Sequence, residues 1–512
     1  MLEKIKQNPN KADGYIERGL YYIKNGKYTE AINDFTIAIA INPNSVESYA
    51  SRSLAFNMLS NFENAIMDIN KAIELDPNDA KLYMHRGQVY ESHIMFGEAF
   101  SNYDKAIELN PNDCNAYILR ATLYSNLKAY DKAIDDINIA IKIDPNKDMS
   151  YYIRAEIYRA TSEFEKALND CNKAIEMCPN TTYYDLRAII QTKLGKEEEL
   201  FEGINDGLKH FPNYFIFYDI RASYYIRLKQ YDKALQDYMK ILSLGFDMDN
   251  NSKAKICEKI GYIYFMLKRY TDALKYYDLA SQHDSEYMNI YRNKGIVNYY
   301  LGNYEQAVED LTLAIEFEVN KNEAYLTRGN CYLALHKHKE AIDDFKKCIE
   351  LEYRTDVCSY YIAKAYLEMK MYDTAINEAE KLLNKNMLIP DIYELMGDIY
   401  DKKGDLTLAE EYYTKYISVV ADNDSIYNKR GYIYFRQHKF RKAIDDIYKA
   451  IQLDPNESSY YINRCAAYIA TNKYKKALAD ANKVLKINPN DENAMFFRNI
   501  VLTHLDRKYV KA

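Results

Sequence analysis

The chain has 512 residues, too many for one ordinary hydrophobic core, so several domains or an array of repeats are expected. It is 48% hydrophobic and 28% charged with only 16 Gly and 10 Pro, which excludes global disorder and favours helix. The formal net charge of −7 does not suggest a nucleic-acid binder, although basic residues outnumber acidic ones by eight from Asp424 onward.

Residues 1–11 are a short lead-in without the apolar core of a secretory signal. No later stretch approaches the roughly 18 uncharged apolar residues that span a bilayer. The eight cysteines lack Cys-x-x-Cys spacing and read as free thiols of a reducing compartment. A cytoplasmic protein is expected.

From Ala12 one phrase recurs. "KAIELDPNDAKLYMHRG" at 71–87 returns as "KAIELNPNDCNAYILRA" at 105–121 and "KAIQLDPNESSYYINRC" at 449–465. A marker alanine recurs from Ala31 to Ala477 in steps of 34, with two exceptions. Leu200 takes the slot between Ala167 and Ala234, and the next step, to Ala273, is 39. With this alanine at position 20, repeats one to seven fill 12–246 and repeats eight to fourteen fill 254–491. Residues 247–253 read as an inserted loop. Repeat six, about 181–213, is degenerate, with Leu200 at position 20 and Gly207 where alanine is usual at position 27.

Each copy contains two helical patterns. In repeat three, Tyr83, Arg86, Gly87 and Tyr90 share one helix face, and Ala99, Tyr103, Ala106 and Ile107 share a second. Pro111 stops helix B, and Asn112-Asp113 can cap the next helix A. A unit of this size cannot bury its apolar face alone, whereas stacked copies build a continuous core. Residues 492–512 read as one more A-type helix that caps the last repeat.

The period of 34, the small residue at 8, tyrosine at 11, alanine at 20 and 27 and proline at 32 resemble the tetratricopeptide repeat. Tyrosine (Tyr15, Tyr49, Tyr83, Tyr117) mostly replaces the family's tryptophan at position 4. The resemblance implies an all-α, right-handed superhelical α-solenoid of about 14 two-helix repeats plus a C-terminal capping helix. It also implies a concave face lined by helix A at positions 2, 5, 9 and 12.

Position 7, usually leucine in that family, is arginine in ten of the fourteen repeats. A row of arginines invites a phosphate- or carboxylate-binding role. Position 23 argues for a structural one, because it supplies a matching carboxylate: Arg18 with Asp34, Arg52 with Asp68, Arg120 with Asp136 and Arg154 with Asp170. Arg221 with Asp237, Arg328 with Asp344, Arg430 with Asp446 and Arg464 with Asp480 complete the pairs. Arg86 meets Asn102, and Lys294 is expected to face Asp310. Ile260 and Met396 meet Tyr276 and Tyr412, while Arg187/Gly203 and Ile362/Glu378 break the match. Pairing each acid with the arginine of the following repeat fits less well.

The sequence has no Gly-x-x-x-x-Gly-Lys-Ser/Thr loop, no Gly-x-Ser-x-Gly and no His-Pro-Asp. His336 and His338 have no evident third ligand, so no metal, cofactor or enzymatic activity is expected. The lysine–asparagine pattern by which co-chaperone repeats clamp acidic C-termini is absent from every three consecutive copies; Asn463 is preceded by Asn428 and Tyr432.

The expected role is a non-catalytic scaffold that binds a protein or peptide partner on its concave surface. Candidate groove residues are Tyr262, Phe265, Ile296, Tyr299, Leu326, Asn330 and Leu333, with Glu258 and Arg292 among them. The alternative is an accessory subunit of an enzyme or nucleic-acid machine, docking through the basic end at 424–512. Lys439, Arg441, Lys442, Lys473, Lys475, Lys476, Lys483 and Lys486 would serve it, although these positions suit a solvated face.

Overall fold

Helix–turn–helix units follow one another along the chain. In repeat three, helix A is Ala80–Ser92 and helix B is Phe96–Leu109, and the other copies keep this plan. Helices of three to four turns are marginal alone, so each buries its apolar stripe against its own partner and the next repeat. The computed structural model describes residues 11–245, 248–385 and 390–509, and among these it contains 29 helices and no strand. Most of the lead-in lies outside the described residues. The chain divides into two compact units, Met1–Gly245 and Phe246–Ala512, each a stack of helix pairs.

Close packing explains the small residue at position 8. A Cβ on Gly87 would lie 2.5 Å from the Tyr103 ring, so the bare backbone of helix A seats the aromatic of helix B. Position 15, in the turn between helices A and B, is left-handed in all fourteen repeats, yet only Gly26, Gly195, Gly302 and Gly404 are glycines there. Ile94 holds φ 64° in the same turn, an unfavourable conformation for a β-branched residue.

The linkers between repeats are of two kinds. After repeats one to four, proline and an Asx turn join the copies; the Asn78 N–H, for example, donates to Asp76 Oδ1 at 3.3 Å. After repeats nine and ten the linker has no proline and turns through two left-handed residues instead: Glu318 and Asn320, then Glu352 and Arg354.

One sequence expectation needs correction. The segment 247–253 is not simply a loop, because helix A of repeat eight begins at Asn250 and runs to Met266. Asp249 caps it, accepting from the Ser252 N–H at 2.8 Å, so much of the insertion lengthens a helix. Residue 247 lies outside the described residues. Repeat six, degenerate in sequence, still packs closely: a Cβ on Gly207 would come within 2.7 Å of Phe217, whose ring is fully buried.

The last helix, Glu492–Tyr509, packs Val501 and Phe497 against Cys465, Tyr468, Ala477 and Ala481 of repeat fourteen.

Candidate functional site

The arginine at position 7 sits among four groups. In eight repeats its Nε and Nη2 donate to both oxygens of the position-23 aspartate of the same repeat, at 2.6–2.9 Å. These are Arg18–Asp34, Arg52–Asp68, Arg120–Asp136, Arg154–Asp170, Arg221–Asp237, Arg328–Asp344, Arg430–Asp446 and Arg464–Asp480. The carboxylates are buried or half-buried, and fork-to-carboxylate geometry suits such a place. Tyrosines at positions 4 and 11 flank the guanidinium; Arg328 lies 5.6 Å from the Tyr325 centroid and 5.8 Å from that of Tyr332.

The third arm was not foreseen. Nη1 reaches back sixteen residues to position 25 of the preceding repeat. It finds Thr36 at 3.0 Å, Asn70 at 2.8 Å, Asp104 at 2.6 Å, Asn138 at 2.7 Å and Asn205 at 2.8 Å. Thr312 at 2.9 Å and Thr414 at 3.1 Å follow. One side chain therefore ties helix A to helix B and to the helix before it.

The exceptions are instructive. Arg86 donates to Asn102 Oδ1 at 2.7 Å, and Arg187 donates to the Gly203 carbonyl at 3.1 Å and back to Asn172 Oδ1 at 3.5 Å. Lys294 does not pair with Asp310: its single ammonium goes back to position 25, meeting Asp278 at 2.9 Å. Asp310, only 3% exposed, accepts from Asn298 Nδ2 at 2.9 Å, and burial pushes its carboxyl up to about 6. A lysine has one charged nitrogen where arginine has a fork, so it cannot serve both acids alike.

Six candidate groove residues line one cavity of about 480 Å³: Tyr262, Phe265, Ile296, Tyr299, Leu326 and Asn330. Leu333 is not among the lining residues and packs on the core of repeats ten and eleven. Leu326 presents little surface, being 9% exposed and part of that same core, and Tyr299 packs on the Ala307–Leu311 cluster. Tyr262 is 41% exposed and Phe265 half-buried. Sequence reasoning missed Tyr300, Tyr353 and Arg354 of the same wall. Tyr300 stacks on Tyr270 at 5.1 Å and meets Phe265 edge-on at 5.5 Å. Tyr353 and Arg354 belong to the proline-free linker after repeat ten, and that departure from the usual phrase was the available signal.

Polar groups hold one side of the cavity. Tyr287 Oη donates to Glu258 Oε2 at 2.5 Å, and Asn293 Nδ2 donates to Glu258 Oε1 at 2.9 Å. Arg292 donates to Asn293 Oδ1 at 2.9 Å and lies 3.5 Å from Glu323. Among the described residues no group of three His, Cys, Asp or Glu side chains is arranged to hold a metal ion, and no helix is long and apolar enough to cross a membrane. The seven lysines and one arginine named for the basic end are all exposed on turns and B helices.

Models of the tetratricopeptide repeat match 12–45, 46–79, 80–113, 102–135, 150–181 and 217–244, and then 323–352, 358–386, 390–422, 425–457 and 458–491. The chain belongs to the tetratricopeptide repeat family. No curated protein matches it. Among solved structures it is similar to a chain of Naa15/Naa10 bound to HypK-THB, at 14% identity over 98% of this chain and 97% of that one, with a TM-score of 0.40. A chain of the APC/C hetero-tetramer Cut9–Hcn1 aligns at 12% identity over 94% and 95%, with a TM-score of 0.38. A tetratricopeptide repeat protein from Parabacteroides merdae aligns at 19% identity over 49% and 98%, with a TM-score of 0.33. As a tetratricopeptide repeat protein, the chain has the architecture of a protein-interaction scaffold.

Proposed function

We propose that this is a non-catalytic adaptor that holds a segment of a protein partner in the groove of repeats eight to ten. The supporting observation is the convergence of Tyr262, Phe265, Ile296, Tyr299 and Asn330, from three successive A helices, on one cavity. Rings supply apolar area for affinity, while Asn330 and the Arg292–Glu323 edge supply register.

Phe265→Ala and Tyr262→Ala are the informative variants, because Tyr299 and Leu326 also hold the core. Each is expected to weaken partner capture by about 1–3 kcal/mol, the range of interface hot spots, with unchanged helicity and melting. Undiminished capture by folded variants would move the site elsewhere. Capture lost steeply with added salt and abolished by replacing Lys473, Lys475 and Lys476 would favour the basic end.

A further inference from the structure

The polar groups around the groove of repeats eight to ten are unevenly engaged. Glu258 accepts at both carboxylate oxygens, Asn293 Oδ1 accepts from Arg292, and Glu323 faces Arg292 at 3.5 Å. Apart from Asn330, the acidic and amide acceptors are therefore spent within the wall itself. The donors are not. The side chains of Asn330 and Arg354 line the cavity and make no hydrogen bond to other described residues. The apolar part of the wall is mostly ring surface. Tyr300 is 53% exposed, with Tyr270 stacked on it and Phe265 edge-on, and Tyr262 is open as well. Such a wall complements a chain that offers flat apolar faces and carbonyl acceptors but few N–H donors. Proline-rich chain in the polyproline II conformation is of that kind: proline has no N–H, and the carbonyls make no internal hydrogen bonds.

The spacing of the wall leads to the same conformation. Tyr262, Ile296 and Asn330 all occupy position 9, on three successive A helices, Asn250–Met266, Asn289–Leu301 and Lys321–Ala334. These helices touch in sequence, and packed helices lie about 8–10 Å apart. A polyproline II chain repeats every three residues, or roughly 9.3 Å, so a chain crossing the A helices would present the same face to each of them. One face of a β-strand repeats in about 6.8 Å and an α-helix in about 5.4 Å, and neither keeps step with the helices. The described residues also contain no strand whose edge could take up an added one.

We infer that the segment held by this groove is proline-rich and lies across the A helices as polyproline II, about one turn per repeat. Its prolines stack on Tyr262 and on the Tyr300–Phe265 pair, and its carbonyls accept from Asn330 and Arg354. Aromatic-lined grooves elsewhere recognise this conformation because it is preformed and loses little entropy on binding. The inference rests on the adaptor reading and gives the partner segment its chemistry.

The test measures fluorescence anisotropy of labelled decaproline titrated with the full chain, against a labelled glycine–serine peptide of the same length. Both peptides are uncharged, so the basic end does not contribute. Decaproline should bind about tenfold more tightly than the control. Tyr262→Ala and Tyr300→Ala should each weaken it about tenfold with unchanged melting, the factor that one interface anchor supplies. Tyr262→Phe should retain binding, because the ring and not the hydroxyl does the stacking. Asn330→Leu should weaken it about fivefold through the lost donor. Decaproline binding no tighter than the control, or binding undiminished in folded Tyr262→Ala and Tyr300→Ala proteins, overturns the inference. If decaproline fails while partner capture still depends on Phe265, the adaptor reading stands and only the proline-rich assignment falls.

Discussion

Repeats two to five and repeats eight to twelve build the same helix pair from different interior chemistry. In the first run position 7 is always arginine, and every linker carries proline at position 32. In the second only Arg328 keeps the arginine, and no linker has that proline. Ile260 and Met396 replace the cation, and the freed volume goes to aromatic pairs: Tyr264 stacks on Tyr276 and Tyr400 on Tyr412, both at 5.5 Å. The ion pair is thus one of two solutions to the same packing problem, in line with the general finding that a buried pair is replaceable as a unit but not by halves. The candidate groove lies in the irregular run.

The sharpest way to break this comparison is to remove half a pair. Arg52→Ala strands Asp68, which is 1% exposed, and should cost about 3–5 kcal/mol, read as faster amide exchange in repeats one to three. Combined with Asp68→Ala the cost should fall short of the sum; additivity would deny the coupling.

Asp310 offers a pH-dependent version in the irregular run. Its folded pKa of about 6 lies above the ordinary carboxylate value of 3.8, so the unfolded chain deprotonates first. Its contribution to stability is therefore greatest at low pH and declines from about pH 4 to about pH 6. The stability of Asp310→Asn relative to wild type should rise over that window by about 1–3 kcal/mol and stay level above it. Lys294→Arg, which restores the fork, should shrink the same pH dependence.

Gly87→Ala should cost about 1–3 kcal/mol by driving a methyl into Tyr103, seen as a lower melting temperature. Ile94→Gly should act oppositely and more weakly. The residue is 75% exposed at φ 64°, so relieving it is expected to stabilise by about 1 kcal/mol.

The period, the two helices and the Arg–Asp spacing within a repeat can be read from the sequence because each uses one residue type at one position. The backward arm cannot, because position 25 varies among Thr36, Asn70, Asp104 and Asn138, which share only a short side chain with an oxygen. Lys294 misleads for the same reason: charge alone does not say which of two acids a single ammonium will choose. Spacing put Leu326 and Tyr299 on the face that lines the cavity, but how deep each sits depends on the neighbouring helix, which a single repeat does not encode.

The three-way contact of seven of the arginines has a consequence for how such a chain can change its length. Its donors and acceptors all recur at fixed offsets, so excising one whole period leaves the contacts intact. Deleting 80–113 would set Arg120 sixteen residues after Asn70, the spacing at which Arg86 now meets that same side chain. Gain or loss of whole copies is therefore nearly neutral to the interior of the regular run. The same excision among repeats eight to eleven would join unlike linkers and mismatched interiors, so copy number there is fixed by the packing of the helices themselves.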